Sequence, residues 1–531
     1  MAELSKIQDL SSSDVGLSVG YEYKITVTSE ASTLGLDESA QSDDVSFGIN
    51  ALNCVKNNDG YWTVTGRGFN TNSEITIEKH NGELITEIAE NAFINDKTLV
   101  KITIPKSVKK IGANAFSGCT SLESVIIEDS DETIIFFKNS GNWSAPHLYY
   151  TTDSSTNKWP GETMTRWDKE GKIFCFAIPS TAKSITFSSG DNDYITSEIT
   201  NKSLLVNNMC FEPVAKDEPE PFDTDGDGTT DLSITHSTKA DYYAPQEFNL
   251  YDSLTIAKSA FQGCTVLESK EMPKRVAKIG AYAFKGCTKF GTLTFPNSSR
   301  LVEIGACAFD SCESLTYVKL PLGLATMDTG AFQWCSNLET VEIPAQTLEA
   351  ISFQCFYDCT MLAEVKFTYN TSVSGKSKLR EIGTSAFQNC YDLKEIDIPK
   401  TVTTINILAF VGCVQLKTVS FKERKGWFVS PYDRIVANEL IYVSSELTKF
   451  TNDTQNLQTA AGMLTNRHVT DTNWYGDWYW HKLTKMLPPT ISLSGSMLTM
   501  TDPLGIAEKF YIYVNPQPDG SCDKKVTIEN G

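Results

Sequence analysis

The feature that most restricts the fold of this chain is an internal repeat with a period near 23 residues. Four copies read IGANAFSGCTSLESVII from Ile111, IGAYAFKGCTKFGTLTF from Ile279, IGACAFDSCESLTYVKL from Ile304 and IGTSAFQNCYDLKEIDI from Ile382. No unit this short can bury its apolar side chains alone, so the repeat predicts stacked units that share one continuous core. One phenylalanine anchors each of nine units: Phe93, Phe116, Phe261, Phe284, Phe309, Phe332, Phe356, Phe387 and Phe410.

Each unit follows one physical plan. An L-x-x-V/I-x-I/F stretch alternates apolar and polar residues, which predicts a short strand with one buried face. A proline often follows, as in Ile104-Pro105 and Ile398-Pro399, and ends the strand because it cannot donate to a ladder. The I-G-x-x-A-F-x-x-C segment then turns the chain. We expect parallel strands on one side of a solenoid, with short turns on the other.

The cysteines are periodic as well. Eight of the fourteen stand three residues after an anchor phenylalanine, once per unit. This spacing predicts small, reduced, buried side chains stacked in a ladder, with disulfide or metal use as the alternative. No Cys-x-x-Cys occurs, which disfavours a zinc site. The eight are Cys119, Cys264, Cys287, Cys312, Cys335, Cys359, Cys390 and Cys413.

These units resemble the BspA-like leucine-rich repeats of bacterial and protist surface proteins. The resemblance covers Asp59–Glu128 and Ala240–Lys422, and WTVTGRGFNTNSEITIEKHNGELITEIAENAF is similar to that family's N-terminal cap. It implies a role in adhesion or protein binding and brings no catalytic residues. The alternative is that the repeats are a spacer that presents other modules.

The repeat stops between Phe116 and Phe261, where a different pattern begins. Strand-like runs at Thr133–Phe136, His147–Thr151, Ile173–Ile178 and Ser184–Ser188 predict a small β-sandwich. The insert resembles the starch-binding modules of carbohydrate-binding module family 26. The residues that carry the resemblance are I-I-F-F-K-N, Asn142-Trp143-Ser144, H-L-Y-Y, Trp159-Pro160-Gly161 with Met164, and the closing A-K-S-I-T-F.

Alternate side chains share one face of a strand, so Leu148 and Tyr150 are expected to face the core while His147 and Tyr149 face away. A flat ring packs on the apolar face of a sugar, whose hydroxyls need hydrogen bonds. The resemblance implies that the family's Tyr-x-Tyr pair and downstream Trp cradle an α-glucan. The positions that match are His147, Tyr149 and Trp159, with His147 where the family has tyrosine.

The last strand of the insert is followed by SSGDNDYIT, where the family often has Asn-Gln-Thr. Asp191, Asn192 and Asp193 are therefore candidates for contacts to sugar hydroxyls. Trp143 is expected to pack within the module rather than to hold ligand.

A calcium-type loop follows in an acidic, proline-rich stretch. Asp223, Asp225, Asp227 and Asp231 occupy positions 1, 3, 5 and 9 of such a loop, with Gly228 at position 6. Position 12 is isoleucine where a bidentate glutamate is expected. The pattern predicts calcium binding, with a solvated acidic turn as the alternative.

The predicted fold is mostly β: a BspA-like leucine-rich-repeat solenoid interrupted by a β-sandwich, with a C-terminal immunoglobulin-like β domain.

The TNWYGDWYWHKL segment, residues 472–483, is expected to seal the solenoid, with a second sugar platform as the alternative. The predicted divisions are an N-terminal attachment or mobile segment (1–45), an N-terminal cap with the first repeats (46–128), the starch-binding-type sandwich (129–213), an acidic linker with the calcium-type loop (214–238), further repeats (239–422), a C-terminal cap (423–486) and the immunoglobulin-like domain (487–531).

The charge, the apolar runs and the motifs of the chain disfavour several classes of function. The chain has 46 Lys+Arg against 66 Asp+Glu, a net charge of −20, which disfavours nucleic-acid binding. No apolar run is long enough for a membrane helix. MAELSKIQDLSSSDVG is not a signal peptide, and no hydrolase, metalloprotease or nucleotide-binding motif occurs.

We therefore expect a non-catalytic extracellular or surface-associated protein that binds starch or another α-glucan through the insert. The alternatives are a protein-binding adhesin that uses the repeat face, and a virion-associated, phage or tail-type receptor-binding protein.

Overall fold

The computed structural model describes residues 22–25, 45–48, 52–58, 60–68, 70–141, 143–157, 160–166, 172–190, 194–222, 232–242, 253–268, 271–372, 377–422, 427–430, 441–442, 464, 479–482, 490–494, 497–501, 509–514 and 524–529. The elements assigned within these residues are β-strands.

Ten strands precede or open the insert: β1 (Glu22–Ile25), β2 (Val45–Gly48), β3 (Asn53–Lys56), β4 (Trp62–Gly66), β5 (Glu74–Thr76), β6 (Lys79–His80), β7 (Glu83–Ile88), β8 (Lys101–Ile104), β9 (Lys110–Ile111) and β10 (Ser124–Ile127). The insert contributes β11 (Glu132–Lys138), β12 (His147–Thr151), β13 (Glu162–Thr163), β14 (Thr165–Arg166), β15 (Ile173–Pro179), β16 (Ser184–Ser188), β17 (Met209–Phe222) and β18 (Leu232–Tyr242). The later repeats contain β19 (Leu254–Ile256), β20 (Val276–Ile279), β21 (Thr292–Leu293), β22 (Glu303–Ile304), β23 (Tyr317–Lys319), β24 (Thr326–Met327), β25 (Thr340–Pro344), β26 (Ala350–Ile351), β27 (Glu364–Thr368), β28 (Glu381–Ile382), β29 (Glu395–Ile398), β30 (Thr404–Ile405) and β31 (Thr418–Phe421). The remaining strands are β32 (Trp427–Ser430), β33 (Ile441–Tyr442), β34 (Tyr479–Lys482), β35 (Thr490–Ser494), β36 (Met497–Thr501), β37 (Lys509–Val514) and β38 (Lys524–Glu529).

Each repeat adds two strands to a parallel solenoid, so the predicted fold class is confirmed. The short strand before each anchor turn joins one ladder, in the order β24-β22-β20-β19-β9-β7-β4, with β3 antiparallel at its end. The alternating L-x-x-V/I-x-I/F stretches join the other, as in β21-β23-β25-β27. Neighbouring parallel strands lie about 4.8 Å apart, so equivalent side chains of successive units fall directly on one another.

The anchor phenylalanines stack in one column. Successive ring centroids lie between 5.1 and 5.5 Å apart, and their planes differ by 10° or less. All nine rings are buried. This column is the centre of the continuous core that the repeat predicts.

The eight periodic cysteines form a second column. Each thiol donates a hydrogen bond to the carbonyl oxygen of the preceding unit's anchor phenylalanine, as in Cys119 Sγ to Phe93 O, 3.0 Å, and Cys287 Sγ to Phe261 O, 3.2 Å. Burial raises the pKa of the Cys287 and Cys335 thiols to about 12, which keeps them protonated as donors. The described cysteines are free, as predicted.

The solenoid continues across the insert. Lys110 and Ile111 of β9 pair in parallel with Thr255 and Ile256 of β19. The rings of Phe116 and Phe261 stack at 5.1 Å and 3°, like any two neighbours in the column. The insert therefore leaves and rejoins the same turn of the stack without disturbing it.

The insert is a β-sandwich whose predicted strands are confirmed. One sheet has the order β14-β15-β11-β17-β18 and the other β13-β12-β16. Side chains from both sheets, including Ile135, Leu148, Phe187 and Phe211, form a core separate from that of the solenoid.

The acidic segment after the sandwich differs from the linker that its composition predicts. Met209–Phe222 and Leu232–Tyr242 pair as a long antiparallel hairpin, and β17 also pairs with β11. The described parts of residues 214–238 are therefore strands joined to the module's sheet. Pairing of the acidic residues with β18, on a strand whose start pairs with β11, overrides the local composition.

Buried Arg300 joins the module to the solenoid, and buried Arg275 joins the repeats on the two sides of the insert. Arg300 donates from Nη2 to Glu132 O at 3.0 Å and from Nε to Asn207 Oδ1 at 3.3 Å. Arg275 donates to the carbonyl oxygens of Glu128, Val108 and Pro105 at 2.6, 2.8 and 3.0 Å. One guanidinium can satisfy several carbonyls because it carries five N–H donors.

The C-terminal end of the solenoid is covered by antiparallel strands. β34 pairs with β30 and with β32, and Trp427 and Trp480 are buried against the repeat core beside Phe421. Farther on, β35 pairs with β36 and β37 with β38 as two hairpins. The immunoglobulin-like domain stays a prediction.

Replacing Arg300 by methionine removes donors from buried acceptors in both the module and the solenoid. Hydrogen bonds to charged groups contribute about 1.5–3 kcal/mol each, so we expect Arg300→Met to lower the free energy of unfolding by roughly 2–3 kcal/mol. Arg166→Met is the control: Arg166 is exposed on β14 of the module, and its change should stay within about 0.5 kcal/mol. Urea denaturation measures both, and equal losses would contradict the proposed junction.

Candidate functional site

Strand β12 divides the candidate site residues from the module core as the alternation predicts. Leu148 is fully buried and Tyr150 packs against the same core. His147 and Tyr149, which alternate with them, lie on the opposite face of the sheet and are half-buried.

The neighbouring strand β16 lines this face with small hydroxyl side chains. Ser188, Thr186 and Ser184 stand directly opposite His147, Tyr149 and Thr151. All three are buried, since the larger side chains of β12 lie beside them. The Thr151 and Ser184 hydroxyls are 2.6 Å apart. The Tyr149 ring therefore lies beside a row of polar side chains, called here the polar floor. The alternation of residues in the sequence did not indicate this row.

The His147 ring is held at both nitrogens. Nδ1 lies 2.7 Å from Ala145 O, and because a carbonyl cannot donate, Nδ1 carries the proton. Nε2 then accepts from Thr163 Oγ1 at 2.8 Å. Gly190 lies against the ring edge: a Cβ added there would be 2.6 Å from His147 Cε1. The imidazole therefore has one fixed orientation.

The chain on both sides of Trp159 is anchored to the same strands. Asn157 donates to Leu148 O at 2.8 Å and accepts from Tyr150 N at 2.7 Å. Ser188 Oγ donates to Pro160 O at 3.0 Å. Gly161, with φ +98°, lies so close to β12 that a Cβ would be 2.4 Å from Leu148 O. Only glycine permits this approach.

Several predicted site residues lie outside the described residues. These are Trp159, Asp191, Asn192 and Asp193 of the sugar site and Asp223, Asp225, Asp227 and Asp231 of the calcium-type loop. Phe222 and Leu232 pair with each other, so the calcium-type sequence lies between the two strands of a hairpin. Within the described part of the chain, no group of three His, Cys, Asp or Glu side chains is placed to hold a metal ion.

Trp143 has the packing role that its context predicts. It is buried in the module core, 5.0 Å from the Phe137 ring, and Tyr194 stacks on it at 6.0 Å and 14°. The face of β12 with Tyr149 is therefore the part of the module where an aromatic ring, fixed polar groups and solvent meet.

A parallel solenoid of short repeats with an inserted β-sandwich defines a leucine-rich-repeat scaffold that carries a binding module. The family described as BspA type leucine rich repeat region matches in six copies, at residues 64–144, 254–377 and 369–426. The family described as starch-binding module 26 matches residues 135–197. The repeats of this chain thus match the BspA-type leucine-rich-repeat family, and the sandwich inserted among them matches a starch-binding module. Neither family is catalytic.

Several solved structures resemble the chain at low identity. A leucine-rich repeat protein from Bacteroides ovatus ATCC 8483 is 21% identical, with a TM-score of 0.39 over 71% of this chain and 66% of that one. The T. pallidum leucine rich repeat protein is 16% identical, with a TM-score of 0.30 over 64% of this chain and 87% of that one. This chain spans just under two thirds of the B. ovatus protein, and nothing about function follows from either similarity.

No curated protein matches the chain significantly. In the described part of the chain, no helix is long and apolar enough to span a membrane.

Gly190 tests whether the fixed His147 ring is part of the module's architecture. Gly190→Ala places a methyl group against the imidazole and adds left-handed strain at φ +82°. We expect it to destabilise the protein by about 1–2 kcal/mol from strain and by roughly 1 kcal/mol more from overlap.

Gly60→Ala is the matched control, because Gly60 has φ +84° but nothing within 4 Å of an added Cβ. It should show the strain alone in urea denaturation. If both variants lose the same stability, the ring does not fill the space beside Gly190.

Proposed function

We propose that this protein binds α-glucan of the starch class through the face of the inserted module that carries His147 and Tyr149, together with Trp159. The solenoid is the rigid support that holds this module. The activity is binding without catalysis, and the site of action is the cell surface or the extracellular space.

The observation that carries the proposal is the orientation of Tyr149. An aromatic ring that is half-buried and held on a regular strand, facing away from the core, keeps an apolar surface in one place without losing much conformational entropy on binding. The hydroxyl side chains of β16 below the ring are buried, so they hold it in place and do not themselves meet a ligand. The ring offers the apolar surface that the C–H face of a sugar needs, while the sugar's hydroxyls need polar partners around it.

His147 supplies a ring surface rather than a hydrogen bond. Both of its nitrogens already bond to Ala145 O and Thr163 Oγ1, so a sugar hydroxyl can replace neither without a loss. The imidazole is smaller than the tyrosine that the family resemblance implies at this position. We therefore expect Tyr149 and Trp159 to provide most of the stacking.

The junction with the solenoid favours presentation of the module in a fixed direction. Arg300 and Asn207 connect the first strand of the sandwich, its last loop and the solenoid within one buried network. A module held in this way keeps its site in place relative to the stack. Several copies on a surface would then bind a polymer with added avidity, which compensates for weak single sites.

The repeat face has less support as a protein-binding surface. Outward charges along its strands pair with one another, as in Lys110 with Glu87 at 2.6 Å and Lys278 with Glu303 at 2.7 Å. Exposed pairs of this kind contribute little energy and present no net charge to a partner.

Calcium is proposed as a structural ion of the hairpin tip. The pairing of Phe222 with Leu232 brings the ends of the calcium-type sequence together, as a ligand loop requires. Isoleucine at position 12 lies in β18, opposite Glu220, so the loop joins two strands and lacks the usual bidentate ligand.

Loss of the Tyr149 ring tests the glucan site. In native gels that contain amylopectin, we expect Tyr149→Ala to weaken retention by roughly tenfold, which corresponds to about 1.4 kcal/mol. Tyr61→Ala is the control, because Tyr61 is an exposed tyrosine, at 53%, in the N-terminal cap and should be retained like the parent. Unchanged retention of Tyr149→Ala together with Trp159→Ala would refute the site.

Calcium titration tests the ion loop. Calcium should raise the melting temperature of the full chain by mass action on the folded state, while magnesium at the same concentration has a smaller effect. Asp225→Asn removes one ligand charge and should abolish most of this shift. A melting temperature that calcium leaves unchanged would favour a solvated turn.

A further inference from the structure

The nine repeats provide an internal comparison for every position in a unit. The residue two places after the anchor phenylalanine has a left-handed backbone in all nine, with φ between 55° and 85°. Eight of these residues are small or polar, which suits a conformation that bulky side chains disfavour. They are Asn95, Gly118, Gly263, Gly286, Ser311, Asp358, Asn389 and Gly412.

The sixth unit is the exception, because it places Trp334 at this position with φ 58°. The left-handed conformation costs a side chain such as this about 1 kcal/mol relative to glycine. The indole is 45% exposed, so a large apolar surface remains in solvent. An exposed aromatic ring on a left-handed backbone, where the sibling units have small or polar residues, is typical of a binding site.

The indole is nevertheless held in one orientation. Its Nε1 donates to Asp358 Oδ2 at 3.2 Å, in the next unit. The ring of Tyr357 meets it edge to face, with centroids 6.2 Å apart and planes at 79°. The two rings therefore form a right-angled notch on the turn side of the solenoid.

A fixed carboxylate lies at this notch. Asp358 accepts from Trp334 through Oδ2 and from Asn389 Nδ2 through Oδ1, at 2.9 Å. Trp334, Asp358 and Asn389 occupy the same left-handed position in three successive units, so the stacking of the solenoid itself builds this row. Each carboxylate oxygen can accept a further hydrogen bond.

We propose that this notch is a second saccharide contact, which takes a neutral glucan chain in addition to the inserted module. The proposal rests on the proposed function for the identity of the glucan. The rings offer an apolar surface to the C–H face of a sugar, and the oriented carboxylate accepts from its hydroxyls. A neutral polymer suits a chain whose net charge is −20, whereas that charge repels anionic polymers.

The indole N–H of Trp334 already donates to Asp358, which favours a saccharide over a protein partner. Tryptophans that anchor protein interfaces bury the whole ring and pair its N–H in the partner's pocket. Here the N–H is already paired within the solenoid, so what remains available is the flat ring. Two contacts on one rigid scaffold would also let a long glucan bind at both, which raises the affinity for polymer above that for short oligosaccharides.

Trp334→Gly is a sharp test, because it installs the residue that four other units have at this position. It should fold with a melting temperature near that of the parent, since relief of the backbone strain offsets the lost contacts with Asp358 and Tyr357. We expect its retention on amylopectin gels to fall by at least roughly tenfold, through loss of one of two linked contacts. Asp358→Ala should weaken retention as well, and Tyr61→Ala should not.

Maltotriose distinguishes this proposal from the function on which it rests. Ligand-observed NMR should detect maltotriose on Tyr149→Ala and on Trp334→Gly, but not on the double variant. If Tyr149→Ala alone abolishes binding, and Trp334→Gly retains amylopectin like the parent, the second contact is refuted while the module site stands. If Tyr149→Ala changes nothing and Trp334→Gly abolishes binding, the module site fails and the notch stands.

Discussion

Stacking of parallel turns is the interaction on which the rest of this structure depends. A single turn contributes one phenylalanine, one cysteine and a few aliphatic side chains, none of which it can bury by itself. The column becomes a core only because each ring lies about 5 Å from the next, the same distance that separates paired strands. The cysteine thiols add directional bonds between turns, to carbonyls that also accept a backbone N–H of their own turn.

This constraint determines where a second domain can be inserted. The insert leaves after Ile127 and the chain returns at Leu254, yet β9 and β19 on either side of it pair as neighbours. Its ends must therefore meet at the surface, within one turn of the stack. Arg275 and Arg300 make the side-chain contacts at this surface. The two arginines occupy equivalent positions in successive repeats after the insert, five residues before Gly280 and Gly305. The corresponding residues in other units are small or polar, such as Ser107 and Thr401.

The repeat and the sandwich strands were predictable because each produces a periodic pattern of apolar residues over a short stretch of sequence. The direction of His147 and Tyr149 followed from alternation for the same reason. The β17–β18 hairpin was not predictable, since Pro213, Pro219 and Glu220 indicate a linker, and what makes this segment a strand is its pairing with β18, while the start of β17 pairs with distant β11. The polar floor of Ser184, Thr186 and Ser188 also depends on the register between two separate strands. Arginine is normally exposed, so nothing local indicated that Arg275 and Arg300 are buried.

A repeat protein allows stability and function to be separated at a single position. Where a unit departs from its siblings and the new side chain is buried and fully bonded, as for Arg300, the departure stabilises a junction. Where the departure adds backbone strain and leaves much of an apolar ring in solvent, as for Trp334, it favours an interaction outside the chain. The contacts with Tyr357 and Asp358 offset part of the strain, whereas glycine, which four sibling units use, avoids the strain altogether. The same reasoning applies to Tyr149. Its neighbours Leu148 and Tyr150 pack into the module core on one face of the sheet, and Tyr149 lies on the other face.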